Sequence, residues 1–165
     1  MKKIEVFTLH NDRGQSVLSC NLLNWIDDLK HPSGIFGPVV KYTWRVDNLD
    51  YEAVKTSYWC LLPDATGFIA FESDHKPDNC LLLDVYGKQR MRLTVPWRMT
   101  GSVDEAAGKS PTSFDNVSEP YINPQTGAKG TFGVTAYIAD VFGCKFYFEL
   151  DYQTGQFLWF KRIRD

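Results

Sequence analysis

Leu150-Asp151-Tyr152-Gln153-Thr154-Gly155-Gln156 is the stretch that decides the fold. An alternating apolar run leads into it, an aspartate opens a short turn, a glycine closes it, and an aromatic run leaves. The same arrangement stands at Leu9-His10-Asn11-Asp12-Arg13-Gly14-Gln15 and at Leu83-Asp84-Val85-Tyr86-Gly87-Lys88-Gln89. In each, the Asp or Asn side chain can bond the backbone two residues on, and the glycine can take the positive φ that a hairpin loop of about three to five residues requires. Pro63-Asp64-Ala65-Thr66-Gly67 is a fourth turn of similar chemistry. Such turns join antiparallel strands end to end.

The flanks agree. Met91, Leu93, Val95 and Trp97 share one face while Arg90, Arg92 and Thr94 take the other, the period-2 signature of a half-buried strand. Phe146, Phe148 and Leu150 alternate with Tyr147 and Glu149, and Phe157-Leu158-Trp159-Phe160 is apolar on both faces. The C-terminal hairpin therefore reads as a pair of central strands, with Phe146, Phe148, Leu150, Phe157 and Trp159 in the core. Strands are expected over 3–9, 14–20, 39–46, 57–62, 68–73, 80–85, 88–96, 131–139, 144–150 and 156–163, with ends uncertain by about 2–4 residues.

Two segments depart from this pattern. Between Asn21 and Lys30, Leu22, Trp25, Ile26 and Leu29 fall at i, i+3, i+4 and i+7, which predicts one short amphipathic helix near residues 21–30 with Asn21 as its N-cap. Thr100 to Lys129 is rich in Gly, Ser, Pro and Asn and reads as a long irregular loop at about 100–130, with a helical turn at 103–107. A weak repeat is also visible. Gly67-Phe68-Ile69-Ala70-Phe71 leads to Asp84 and Gly87, and Gly133-Val134-Thr135-Ala136-Tyr137 leads to Asp151 and Gly155. Propeller blades repeat in this way, but so does any meander with Asp/Gly turns. The expectation is an all-β chain of mainly antiparallel meanders, as a curled sheet, barrel or sandwich, forming a single domain over 1–165.

Composition supports the class. With 11 Phe, 8 Tyr and 5 Trp in 165 residues, the chain has ample material for one core, and these side chains favour strands. The apolar run after Lys2-Lys3 is broken at once by Glu5, His10, Asn11 and Asp12, and no stretch approaches the roughly 20 apolar residues of a membrane span. A cytoplasmic protein with no membrane partner is expected. Cys20, Cys60, Cys80 and Cys144 lie far apart without metal-ligand spacing and read as buried thiols.

No nucleophile elbow, phosphate loop, dinucleotide fingerprint or zinc-protease motif is present, so no catalytic residue, metal or cofactor is assigned. His75, in Asp74-His75-Lys76-Pro77-Asp78, has a carboxylate neighbour but reads as a polar hairpin loop. Arg90, Arg92 and Arg98 beside Tyr86 and Trp97 resemble a base-stacking face, but the acidic surroundings argue against nucleic acid, and Arg90 and Arg92 are expected to pair with Glu72 or Asp74. Residues 47–84 hold eight acids against two bases, a net of −6. That excess would attract a partner protein with a basic surface, with Asp47, Asp50, Asp64, Asp74 and Asp78 as its field and Tyr51, Tyr58 and Trp59 as anchors. A small aromatic-rich chain without catalytic motifs suits an inhibitor or immunity-type protein that neutralises its partner by occlusion. The alternative is a small β-barrel enzyme or ligand-binding protein with an aromatic-lined pocket.

Overall fold

The computed structural model describes residues 1–18, 30–31, 34–102, 111–139 and 145–163, and among them the regular structure is almost entirely strand. In order these are β1 Glu5–Asn11, β2 Ser16–Leu18, β3 Lys30–His31, β4 Gly34–Ile35, β5 Val39–Val46, β6 Leu49–Val54 and β7 Ser57–Leu61. They continue with β8 Phe68–Glu72, β9 Cys80–Leu83, β10 Gln89–Leu93, β11 Ser113–Ser118, β12 Gly133–Tyr137, β13 Lys145–Asp151 and β14 Gln156–Ile163. A 3-10 turn spans Trp97–Thr100. Three antiparallel four-stranded sheets result, ordered β2-β1-β5-β6, β10-β9-β8-β7 and β11-β12-β13-β14, and none closes into a barrel. The all-β class expected from the sequence is the class observed. The helix expected near 21–30 and the helical turn at 103–107 lie outside the described residues, apart from Lys30, which opens β3.

The turn chemistry is as the sequence requires. Asn11 Oδ1 accepts the amides of Arg13 and Gln15, Asp84 Oδ1 those of Tyr86 and Lys88, and Asp151 Oδ1 those of Gln153 and Thr154. Gly14, Gly87 and Gly155 follow with φ of 76°, 75° and 78°. The fourth turn differs. There Asp64 Oδ1 accepts the Thr66 amide, but the positive φ falls on Ala65 rather than on the glycine. Gly67 is needed for a different reason, because a Cβ on it would overlap the Leu83 carbonyl.

The weak repeat has a structural counterpart. The second and third sheets are both four-strand meanders, and in each an Asp/Gly hairpin joins the third strand to the fourth. The first sheet is not built this way, since β5 and β6 add to the far side of β1.

Besides the short pair β3 and β4, two strands were not anticipated. β6 occupies residues between the expected strands 39–46 and 57–62, and Asp47 and Asn48, with φ of 49° and 65°, make the two-residue turn that pairs Val46 with Leu49. β11 lies inside the stretch expected to be irregular. Its Phe114 is held from a distance, because the buried Asn79 side chain donates to the Phe114 carbonyl at 3.0 Å and accepts its amide at 2.8 Å.

The chain divides into two compact units, residues 1–70 with 83–90 and residues 71–82 with 91–165. In the first, Phe7 stacks on Tyr42 and tilts against Phe68, and Leu9, Val39, Trp44 and Val46 are buried with them. A Cβ at Gly87 would meet the Trp59 ring at 2.9 Å and the Trp44 ring at 3.1 Å, whereas at Gly127, also at positive φ, it would meet nothing. Gly127→Ala is therefore expected to cost only the left-handed backbone term of about 1–2 kcal/mol. Gly87→Ala adds the clash and should cost about 2–4 kcal/mol in urea unfolding. Equal losses at the two positions would contradict this packing.

In the second unit, Phe114, Val117, Val134, Ala136, Phe146, Phe148 and Leu150 are buried on one face of the third sheet, and Thr135, Tyr147 and Glu149 are buried as well. The C-terminal hairpin is not a pair of central strands. β14 ends the sheet, Phe157 and Trp159 are half-buried, and the register slips so that Leu158 stands unpaired and 56% exposed. An end strand has only one neighbour to cover it, which two-sided apolarity in the sequence does not reveal. Phe148→Ala is expected to cost about 3–5 kcal/mol and Trp159→Ala about half that, read as shifts in the denaturation midpoint.

Candidate partner-binding surface

The aromatics between Trp44 and Trp59 build an interior before they build a surface. Alternation along β5 turns Tyr42, Trp44 and Val46 inward and leaves Arg45 exposed, while the pairing with β6 sets Tyr51 opposite Trp44 and Asp50 opposite Arg45. The Tyr42 hydroxyl donates to the Ser57 carbonyl at 3.0 Å and accepts the Trp59 amide at 3.2 Å, and burial pushes its phenol pKa upward. Trp44 Nε1 donates to the Val85 carbonyl and Trp59 Nε1 to Ser57 Oγ. Trp59 stacks on Tyr42 with ring centres 5.3 Å apart, and Tyr51 stacks on Trp44 at 6.0 Å. Of the three expected anchors, Tyr51 and Trp59 are half-buried parts of this cluster. Tyr58 is exposed, with Lys55 Nζ 3.8 Å from its ring centre.

Three of the five expected acids are found beside bases. Asp47 lies 3.1 Å from Lys2 and Asp50 2.9 Å from Arg45, while Asp74 faces Lys76 at 3.7 Å. The Tyr86 hydroxyl and Asp47 together raise the pKa of Lys2. Glu72 holds Arg92, as expected, although Arg92 reaches past β9 to do so. Asp64 is engaged by Thr66, and the Asp78 carbonyl accepts from Arg92. Exposed pairs of this kind stabilise by only about 0–1 kcal/mol each, but they cancel one another's charge locally. Asp47, Asp50, Tyr51, Tyr58, Trp59 and Asp64 belong to the first unit, Asp74 and Asp78 to the second.

An open groove of about 500 Å³ lies on the first sheet, lined by Val6, Thr8, Thr43, Arg45, Asp50 and Tyr51 among others. Val6 is a β-branched residue at φ 55°, a strained conformation, and sits where the β1–β5 register shifts between Glu5 and Thr8. The sequence reading missed it, because nothing in Glu5-Val6-Phe7-Thr8 signals a register shift. Deeper in the sheet, His10 Nε2 bonds Thr43 Oγ1 at 2.7 Å, and burial together with nearby Lys41 lowers the imidazole pKa.

Other reactive groups do not join this groove. His75 is exposed between β8 and β9. Cys80 is buried and Cys60 half-buried, burial pushing the Cys60 thiol pKa up to about 12, while Cys20 and Cys144 lie outside the described residues. Among the described residues no cluster of His, Cys, Asp and Glu could hold a metal ion, and no helix is long and apolar enough to cross a membrane.

No family model matches this chain, and no curated protein matches it. A chain from the solved structure of Tne2 in complex with Tni2 is similar to it, with a TM-score of 0.64 over 98% of this chain and 99% of that one, at 14% identity. At that identity the likeness is one of fold.

Proposed function

We propose that the chain is a stand-alone protein-binding protein of inhibitor or immunity type, acting in the cytoplasm by covering a functional surface of its partner. The observation that supports this most is the likeness, over nearly the whole length, to a chain solved inside a two-protein complex. The interior points the same way. Tyr42, Trp44, Trp59 and Phe68 pack their rings against one another, so these aromatics serve the core first, and an aromatic-lined pocket has less behind it. A basic partner surface also loses support, because Asp47, Asp50 and Asp74 each have a base beside them. Tyr58 remains the exposed aromatic best placed to act as an anchor.

The test is recovery of the tagged full-length chain from its native cells, followed by reconstitution with each co-purified protein made separately. A stoichiometric complex that survives gel filtration is expected. Recovery of a small molecule instead, with the chain alone on the column, would contradict the proposal.

A further inference from the structure

In the second unit, some large apolar side chains stay exposed, and two of them meet in one recess. Among the described residues the exposed ones are Met99, Ile122 and Leu158, at 37%, 56% and 56% exposure. Met99 and Leu158 line a single open recess of about 520 Å³, together with Asn123. Three separate pieces of chain build it. The 3-10 turn carries Met99 to β14, and the slipped register of β14 turns Leu158 outward. The turn at Asn123 is braced internally, with Asn123 Oδ1 accepting the Gln125 amide and the Asn123 amide donating to the Ala128 carbonyl. Apolar side chains scattered singly over a surface mean little, but a gathered group marks a contact site. A recess ordered by its own hydrogen bonds also loses little freedom on binding.

Among the described residues, the charge of its lining is of one sign. Lys161 and Arg162 line the recess, and no described lining residue is an acid. Arg98, next to Met99, lies over the Trp97 ring, and Lys161 over the Tyr121 ring at 5.4 Å, so aromatic faces hold these cations without neutralising them. Of the acids between 47 and 84, Asp47, Asp50, Glu52, Glu72 and Asp74 lie beside bases, whereas the described lining of this apolar recess carries cations.

We infer that this recess docks an acidic segment of the partner protein, one large apolar side chain entering between Met99 and Leu158 while carboxylates meet Lys161 and Arg162. The inference rests on the protein-binding reading above and names the surface and the partner's chemistry. It reverses the sign of charge that the sequence alone suggests for the partner.

A random peptide library displayed on phage, selected against the full-length chain, tests this. Enriched peptides should be acidic and carry a Leu, Phe or Trp, and should slow hydrogen exchange over 156–163. Leu158→Asp and Lys161→Glu, both at the surface, should weaken the selected peptides about tenfold or more while melting like the wild type. Should one variant fail to fold, the other carries the comparison. Basic or neutral peptides, no enrichment, or equal binding by the variants would overturn the inference. So would a dimer of the chain that Leu158→Asp dissociates, since the occupant would then be a second copy. If acidic peptides bind as described but no protein partner is ever reconstituted, the protein-binding proposal falls and the recess stands. If a partner binds wild type and Leu158→Asp alike, the recess falls and the proposal stands.

Discussion

Glu149→Ala is expected to lower the unfolding free energy by about 2–4 kcal/mol, because it strips a buried acceptor from several donors at once. The carboxylate is 3% exposed. Its Oε1 accepts the Thr131 amide at 2.6 Å, the Phe132 amide at 3.0 Å and the Thr131 hydroxyl at 3.2 Å, and its Oε2 accepts the Tyr147 hydroxyl. Alanine leaves the Phe132 amide and the Tyr147 hydroxyl without these partners in buried surroundings. Burial and Glu149 both raise the Tyr147 pKa, so this phenol stays a donor. Glu149→Gln keeps an oxygen for the two amides and should recover a good part of the loss. Gly133 belongs to the same device, since a Cβ there would overlap the Tyr147 ring. Urea unfolding of the three proteins checks this, and an unchanged midpoint for Glu149→Ala would remove the cluster from the account.

Trp44→Ala should cost about 3–5 kcal/mol, the usual penalty for emptying a large aromatic site. Trp44 is 3% exposed and touches the rings of Tyr51, Trp59 and Phe68. Trp44→Phe keeps most of the ring contact and loses the hydrogen bond to Val85, so it should cost about 1–2 kcal/mol, apart from any effect of the smaller ring. Glu149 and Trp44 lie in different compact units, yet β8, β9 and β10 each carry residues of both. Both substitutions are therefore expected to lower one shared unfolding transition, as a single domain requires. Calorimetry showing two transitions, each moved by only one of the substitutions, would contradict that.

Local chemistry was the legible part of this sequence. Asp84, Asp151 and Asn11 announced their turns because each side chain bonds its own backbone a few residues on. Alternation placed Phe146, Phe148 and Leu150 correctly for the same reason, since it needs no knowledge of other strands. What failed was whatever depends on a distant partner. β11 is paired by β12 and clamped by Asn79, 35 residues away, and nothing between 113 and 118 alternates cleanly. The position of β14 at the sheet's end is likewise invisible in Phe157-Leu158-Trp159-Phe160. For the candidate site, counting acids between 47 and 84 missed that Lys2 and Arg45 would stand beside Asp47 and Asp50. The Asp47-Asn48 turn was readable, because both residues tolerate positive φ, yet without a glycine it was passed over.

The central claim is that this chain acts by covering another protein. The most direct test titrates the chain into its purified, reconstituted partner and follows the partner's own activity. A linear fall to zero at one equivalent is expected, with no turnover of the partner's substrate by the chain itself. A partner that keeps full activity in the saturated complex, or a chain that consumes the substrate alone, would contradict it.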